Sequence, residues 1–261
     1  MHRRHGRETQ LPLEIDPALL DDLRVSLEDT AMLRTRSTSQ ALEDRLGDRR
    51  AAWRSNPEEI ISNILLSDPF ALLAFARREA RGAYEQRIDP ATTISQVIRN
   101  VGQLRIMPLF AAMPELGEIH IDSSHAVLRS LEGVVEHIGR GVTLVATRAA
   151  QGRSAHVDWI FLTTLRAAGA LLSVCMDTAR AESIARSVAA GETLEHALAD
   201  AFQVSHAELT MIAADQWGLA TAVNSQFDGS DIECVDALVQ QHVLGAIDAA
   251  NVVSLFPPKS P

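Results

Sequence analysis

The sequence predicts an all-α fold, a multi-helix bundle with an N-terminal helical extension. Hydrophobic residues make up 46% of the chain while aromatic residues make up only 4%, a composition dominated by small and aliphatic side chains that let helices approach closely. Apolar residues recur at three- and four-residue steps along most of the chain, the period of a helix face. The segments so formed are punctuated by Asp-Pro, Asn-Pro and Ser starts and by glycine stops. Strands have little support. At 261 residues, one large domain with an extension and two small domains are both open.

The elements follow in order. Residues 1–10 (MHRRHGRETQ) read as a solvated basic arm. From Asp16 to Leu33 an Asp cap, a first-turn Pro and leucines at helical spacing predict an amphipathic helix ended by a polar break at Thr35 to Ser39. Ala41 to Trp53 carries a thin apolar stripe and reads as a surface helix or connector. Residues 1–54 thus form the arm and extension, 55–255 the main domain and 256–261 a tail ended by prolines.

The main domain opens at Ser55-Asn56-Pro57-Glu58, a strong helix start, and Asp68-Pro69 repeats the device before PFALLAFARREARG. Asp89 to Gly102 and Leu104 to Met113 predict another pair, with Pro108 at a kink or helix start. A long helix face runs from about Ser123 through Ala150; Gly139 and Gly141 within it point to a bend or a close helix approach. Trp159 to Met176 is apolar nearly all round and predicts one central, deeply buried helix. Shorter helices follow over Thr178 to Ala189, Thr193 to Phe202, Ser205 to Trp217 and Ala220 to Phe227. A last long helix, capped at Ser230-Asp231, reaches Leu255.

Charge narrows the function classes. The formal net charge of −10 repels a phosphate backbone, so nucleic-acid binding is disfavoured. No apolar run approaches the roughly 20 residues that span a bilayer, and the N-terminus lacks a signal core, so no membrane association is expected. Cys175 and Cys234 stand far apart in apolar segments and read as buried free thiols in a reducing compartment. Together these features predict a cytoplasmic protein.

Three stretches taken in order carry a family likeness: NPEEIISNILLSDPFALLAFARR, ISQVIRNVGQLRIMPLF around Gly102, Leu104 and Arg105, and FQVSHAELTMIAADQWGLA. In the last, Ser205 and Glu208 make a capping box, and Trp217-Gly218-Leu219 makes a sharp stop. Together they resemble HDOD domains, a signalling branch of the HD phosphohydrolase superfamily whose members mostly lack the superfamily's metal site. On this likeness Asp68, Pro69, Gly102, Gly169, Trp217 and Gly218 hold family-motif structural positions. The chain departs from the family where Ala76-Arg77-Arg78 replaces an Ala-Asn-Ser step.

Metal-binding relatives use an adjacent His-Asp doublet on a central helix to hold cations that activate water. Aligning Gly169 with the glycine after that doublet places Arg166 and Ala167 at the two ligand positions. Alanine has no donor, and a guanidinium is a permanent cation. His206, His125 and His120 with Asp122 are the remaining histidines near the likeness; each lacks evident partners, and a ligand set needs several donors that converge. His156 and His196 read as solvated or capping residues. Carboxylate pairs, Glu192 with Glu195 among them, lie at helix N-termini where they complement the dipole. No phosphate-cradling loop or nucleophile elbow is present. The expected sets of catalytic, metal and cofactor-binding residues are therefore empty.

Arg166, His206, Trp53, Arg77 and Arg78 are the candidate ligand or partner contacts, Trp53 as an anchor on a charged segment and Arg77 and Arg78 as part of a cationic strip. The resemblance implies a non-enzymatic bacterial signal-transduction domain that acts through protein-protein interaction with a signalling partner, its N-terminal helix available for the contact. Two other readings stay open: a divergent metal-dependent phosphohydrolase or phosphodiesterase using His125 and His206, and a sensor that binds a nucleotide with arginines in the former metal pocket.

Overall fold

The computed structural model describes residues 15–47, 57–80, 98, 101, 103–150, 156–217 and 227–247. It is 79% helical, with no strands among the described residues; the one isolated β-bridge described joins Thr193 to Ala246. Thirteen α-helices are described: α1 Pro17–Asp29, α2 Arg36–Gly47, α3 Pro57–Ser67, α4 Pro69–Phe75, α5 Gln103–Ala112, α6 Leu116–Ile119, α7 His125–Ala149, α8 His156–Arg166, α9 Ala168–Ser173, α10 Thr178–Ala189, α11 Leu194–Phe202, α12 His206–Gln216 and α13 Gly229–His242. Long α7 packs against α8, α10 and α13, and α9 is the hub beneath α12. Trp53, Gly102, Gly218, the basic arm and the tail lie outside the described residues, as do the expected helices over Asp89 to Gly102, apart from Ile98 and Val101, and over Ala220 to Phe227, apart from Phe227.

The extension shares the main core. Leu23, Leu27, Met32 and Leu33 are buried in one apolar cluster with α3, α4 and α9. The first helix stops at Asp29, four residues before the sequence suggested, because Thr30 turns extended with its hydroxyl on the Ser26 carbonyl. The stretch expected as a polar break is a clasp. Asp68 caps α4 by accepting from the Phe70 and Ala71 amides, and its second oxygen takes the Thr35 amide at 3.0 Å and the Thr35 and Thr38 hydroxyls at 2.9 and 2.6 Å. A carboxylate 1% exposed is tolerated there because every donor is aimed at it. The apolar face of the first helix is used inside the molecule, which leaves its polar face and Val25, 62% exposed, outward.

Three other expectations are revised. The central helix breaks in two at Ala167, whose backbone (φ −91°, ψ 6°) leaves the helical region. The last helix is capped by Asp228 and ends at His242, after which the chain runs on to pair with the start of α11. Helix α4 gives way at Ala76–Ala80 to a π turn, the wider winding that re-aims side chains. Pro108 sits inside α5 on its exposed side. Of Gly139 and Gly141 in α7, Gly141 marks a close approach: a Cβ there would lie 2.7 Å from the His242 carbonyl oxygen. Cys175 is buried as expected, whereas Cys234 faces solvent.

Candidate functional site

The Ser205 cassette folds as its residues dictate. Ser205 and Glu208 make the reciprocal capping box at the start of α12, which fixes His206 at the first helical position. Beneath it lies the α8–α9 break. Gly169 is required at this crossing, because a Cβ would stand 2.7 Å from the His206 carbonyl oxygen and 3.0 Å from its ring. The Gly169 amide donates to Thr210 Oγ1 at 2.9 Å, tying α9 to α12. Arg166, Ala167, Gly169 and His206, all singled out from the sequence, therefore meet at one place.

The chemistry of that place is closed. Arg166 makes a bidentate ion pair with Asp236 of α13, Nε to Oδ1 at 2.5 Å and Nη2 to Oδ2 at 2.7 Å. The guanidinium is thus answered internally. His206 is buried, its ring bonded to the Ala167 backbone and its Nε2 3.5 Å from Thr210 Oγ1. Burial, reinforced by the Arg166 charge, lowers its pKa to about 4, so the ring is neutral at neutral pH. One neutral imidazole, a methyl group and a paired arginine present no converging set of donors for a divalent cation, and the carboxylate facing them is held by Arg166.

The other sequence candidates separate. Arg77, on the π turn, donates to the Glu28 and Thr30 carbonyls at the end of α1, with its guanidinium carbon 5.2 Å from the centre of the Trp217 ring. It is a half-buried clamp between the first helix and the cassette, and desolvation lowers its pKa. Arg78 is exposed. Trp217 is buried at the end of α12, and Pro69 is buried at the start of α4. His120 is fully buried: Nε2 meets the Val174 carbonyl at 2.8 Å and Nδ1 meets Thr178 Oγ1 at 3.4 Å, a packing arrangement that leaves its ring no ligand position. His125 is exposed on the far end of α7.

A feature that the sequence did not point to is a groove of about 960 Å³ between the Leu33–Ser37 segment, α6 and the outward face of α7. Leu33, Pro69, Leu116, Val135 and Leu144 line it with apolar surface. Arg34, Arg36 and Arg140 and the carboxylates Glu118, Glu132 and Glu136 stand around them. Gly139 opens into it, and a Cβ added there would meet nothing within 4 Å. Val135 and Leu144, the latter 41% exposed, are the apolar residues that the outward face of α7 gives the groove. Comparison of the chain with protein-family models, with curated proteins and with solved structures finds no match.

Proposed function

We propose that this chain is a non-enzymatic regulatory domain of the HDOD type, cytoplasmic, that transmits a signal by binding another protein. The observation that supports this reading is the state of the α8–α9 break: the position that would hold a metal doublet carries the Arg166–Asp236 pair and the Gly169–His206 contact. The groove on α7 supplies a binding surface separate from it. An apolar lining ringed by charges of both signs suits an amphipathic helix of a partner protein, whose apolar face buries while its polar edges meet Arg34, Arg140 and Glu136. Among the described residues no helix is long and apolar enough to cross a membrane.

The test pairs binding with metal analysis. Gly139→Trp, at a groove position where an added Cβ meets nothing within 4 Å, abolishes capture of the partner from the native host while the thermal transition is retained. Capture that survives both Gly139→Trp and Leu144→Asp removes the groove from the reading. A divalent ion held one per chain, lost in His206→Ala and accompanied by phosphoester hydrolysis, overturns it in favour of the enzyme.

A further inference from the structure

The turn between α10 and α11 carries a cluster that the proposed function does not use. Glu192, His196 and Asp200 each present one ligand atom, and these atoms lie within 4.8 Å of one another. The four-residue steps place His196 and Asp200 one above the other on α11, with Nε2 3.7 Å from Oδ2. Glu192 stands just before the cap residue Thr193. Its Oε2 is out of contact with solvent and has no hydrogen-bond partner, a desolvated carboxylate oxygen that costs stability unless a donor or a cation meets it.

The backbone around the cluster is fixed before any ion arrives. Gly191, at φ 94°, closes α10, and the Glu192 amide donates to the Ser187 carbonyl at 3.1 Å. Thr193 bridges to Ala246, while the Leu194 and Glu195 amides bond the Gly245 and Leu244 carbonyls. The neighbouring Glu195 is engaged with Gln240, which leaves the other three as the donor set.

We infer that Glu192, His196 and Asp200 form a surface site for a borderline divalent cation of the Zn²⁺ class, held by one imidazole nitrogen and two carboxylate oxygens with water completing the shell. An imidazole in the set disfavours Mg²⁺ and Ca²⁺, which take oxygen ligands. The ion neutralises the Glu192 carboxylate and staples the α10–α11 turn to the first two turns of α11, at the point where the end of α13 is anchored. The negative net charge of the whole chain favours cation uptake.

Isothermal titration of the chelator-treated full chain with zinc chloride gives one saturable site, and magnesium chloride gives none. His196→Ala and Glu192→Gln each weaken zinc binding by more than the roughly 10–100-fold typical of losing an outer-shell partner. His206→Ala leaves it unchanged, which separates this site from the α8–α9 break. Both surface substitutions keep the native thermal transition. Absence of saturable zinc uptake by the unaltered chain, or uptake of equal affinity and stoichiometry in His196→Ala and Glu192→Gln, overturns the assignment.

Discussion

Gly169 and Gly139 show how one residue type serves opposite ends. Both lie in helices, where replacing glycine by alanine gains about 0.5–1 kcal/mol if space allows. At Gly139 space allows, and Gly139→Ala raises the urea midpoint. At Gly169 the new methyl meets the backbone oxygen of His206, which cannot swing away as a side chain tip does. Gly169→Ala therefore destabilises by about 1–3 kcal/mol, the range for overpacking, and a midpoint equal to that of the unaltered protein refutes the close crossing. His206 adds a pH dependence. Its folded pKa of about 4 lies below the ordinary 6.5, so the unfolded chain takes up the proton first and stability rises with pH between those values. This contribution is complete above about pH 6.5 and is lost progressively as pH falls towards 4. Denaturant titrations across pH 4 to 7 check it: the slope is reduced in His206→Gln.

At the level of elements, the decisive contacts are polar bridges that fix apolar helices in register. Arg166 carries the end of α8 to α13, and its side chain and that of Asp236 remain 25% and 41% exposed. Solvent screening limits the pair, so a double-mutant cycle over Arg166→Ala and Asp236→Ala returns a coupling of about 1 kcal/mol that shrinks in high salt. A coupling of zero at low salt removes the pair as a closure of the α8–α9 break. The break itself was hidden in the sequence. A run apolar on every side has no face for a periodicity to reveal, and only the crossing of α12 over Gly169 shows where the helix divides. Helix starts were legible for the opposite reason: Asp16, Asp68, Thr193 and Ser205 cap through local contacts a few residues long.

For the whole molecule, the fate of the first helix is the main consequence. Leu23, Leu27 and Leu33 are fully buried, Arg180 reaches Asp22 at 2.8 Å, and Arg77 holds the end of α1. Each buried leucine contributes about 1.5–3 kcal/mol, and three together rival the roughly 5–15 kcal/mol that separates a folded domain from its unfolded chain. A chain lacking residues 1–33 therefore loses its cooperative thermal transition, measured by circular dichroism. Retention of that transition shows the first helix to be a detachable extension.

The sequence by itself determined the helical class, most helix starts and the capping box at Ser205. Local hydrogen bonding and periodic burial encode all of these within a few turns of chain. Only the tertiary structure decided that Asp236 answers Arg166, that Asp68 binds Thr35 and Thr38, that Arg77 is an internal clamp and that a groove opens on α7. The polar contacts join residues 30 to 70 positions apart and the groove joins residues farther apart still, and a partner so distant is chosen by how the helices pack, which no local pattern records.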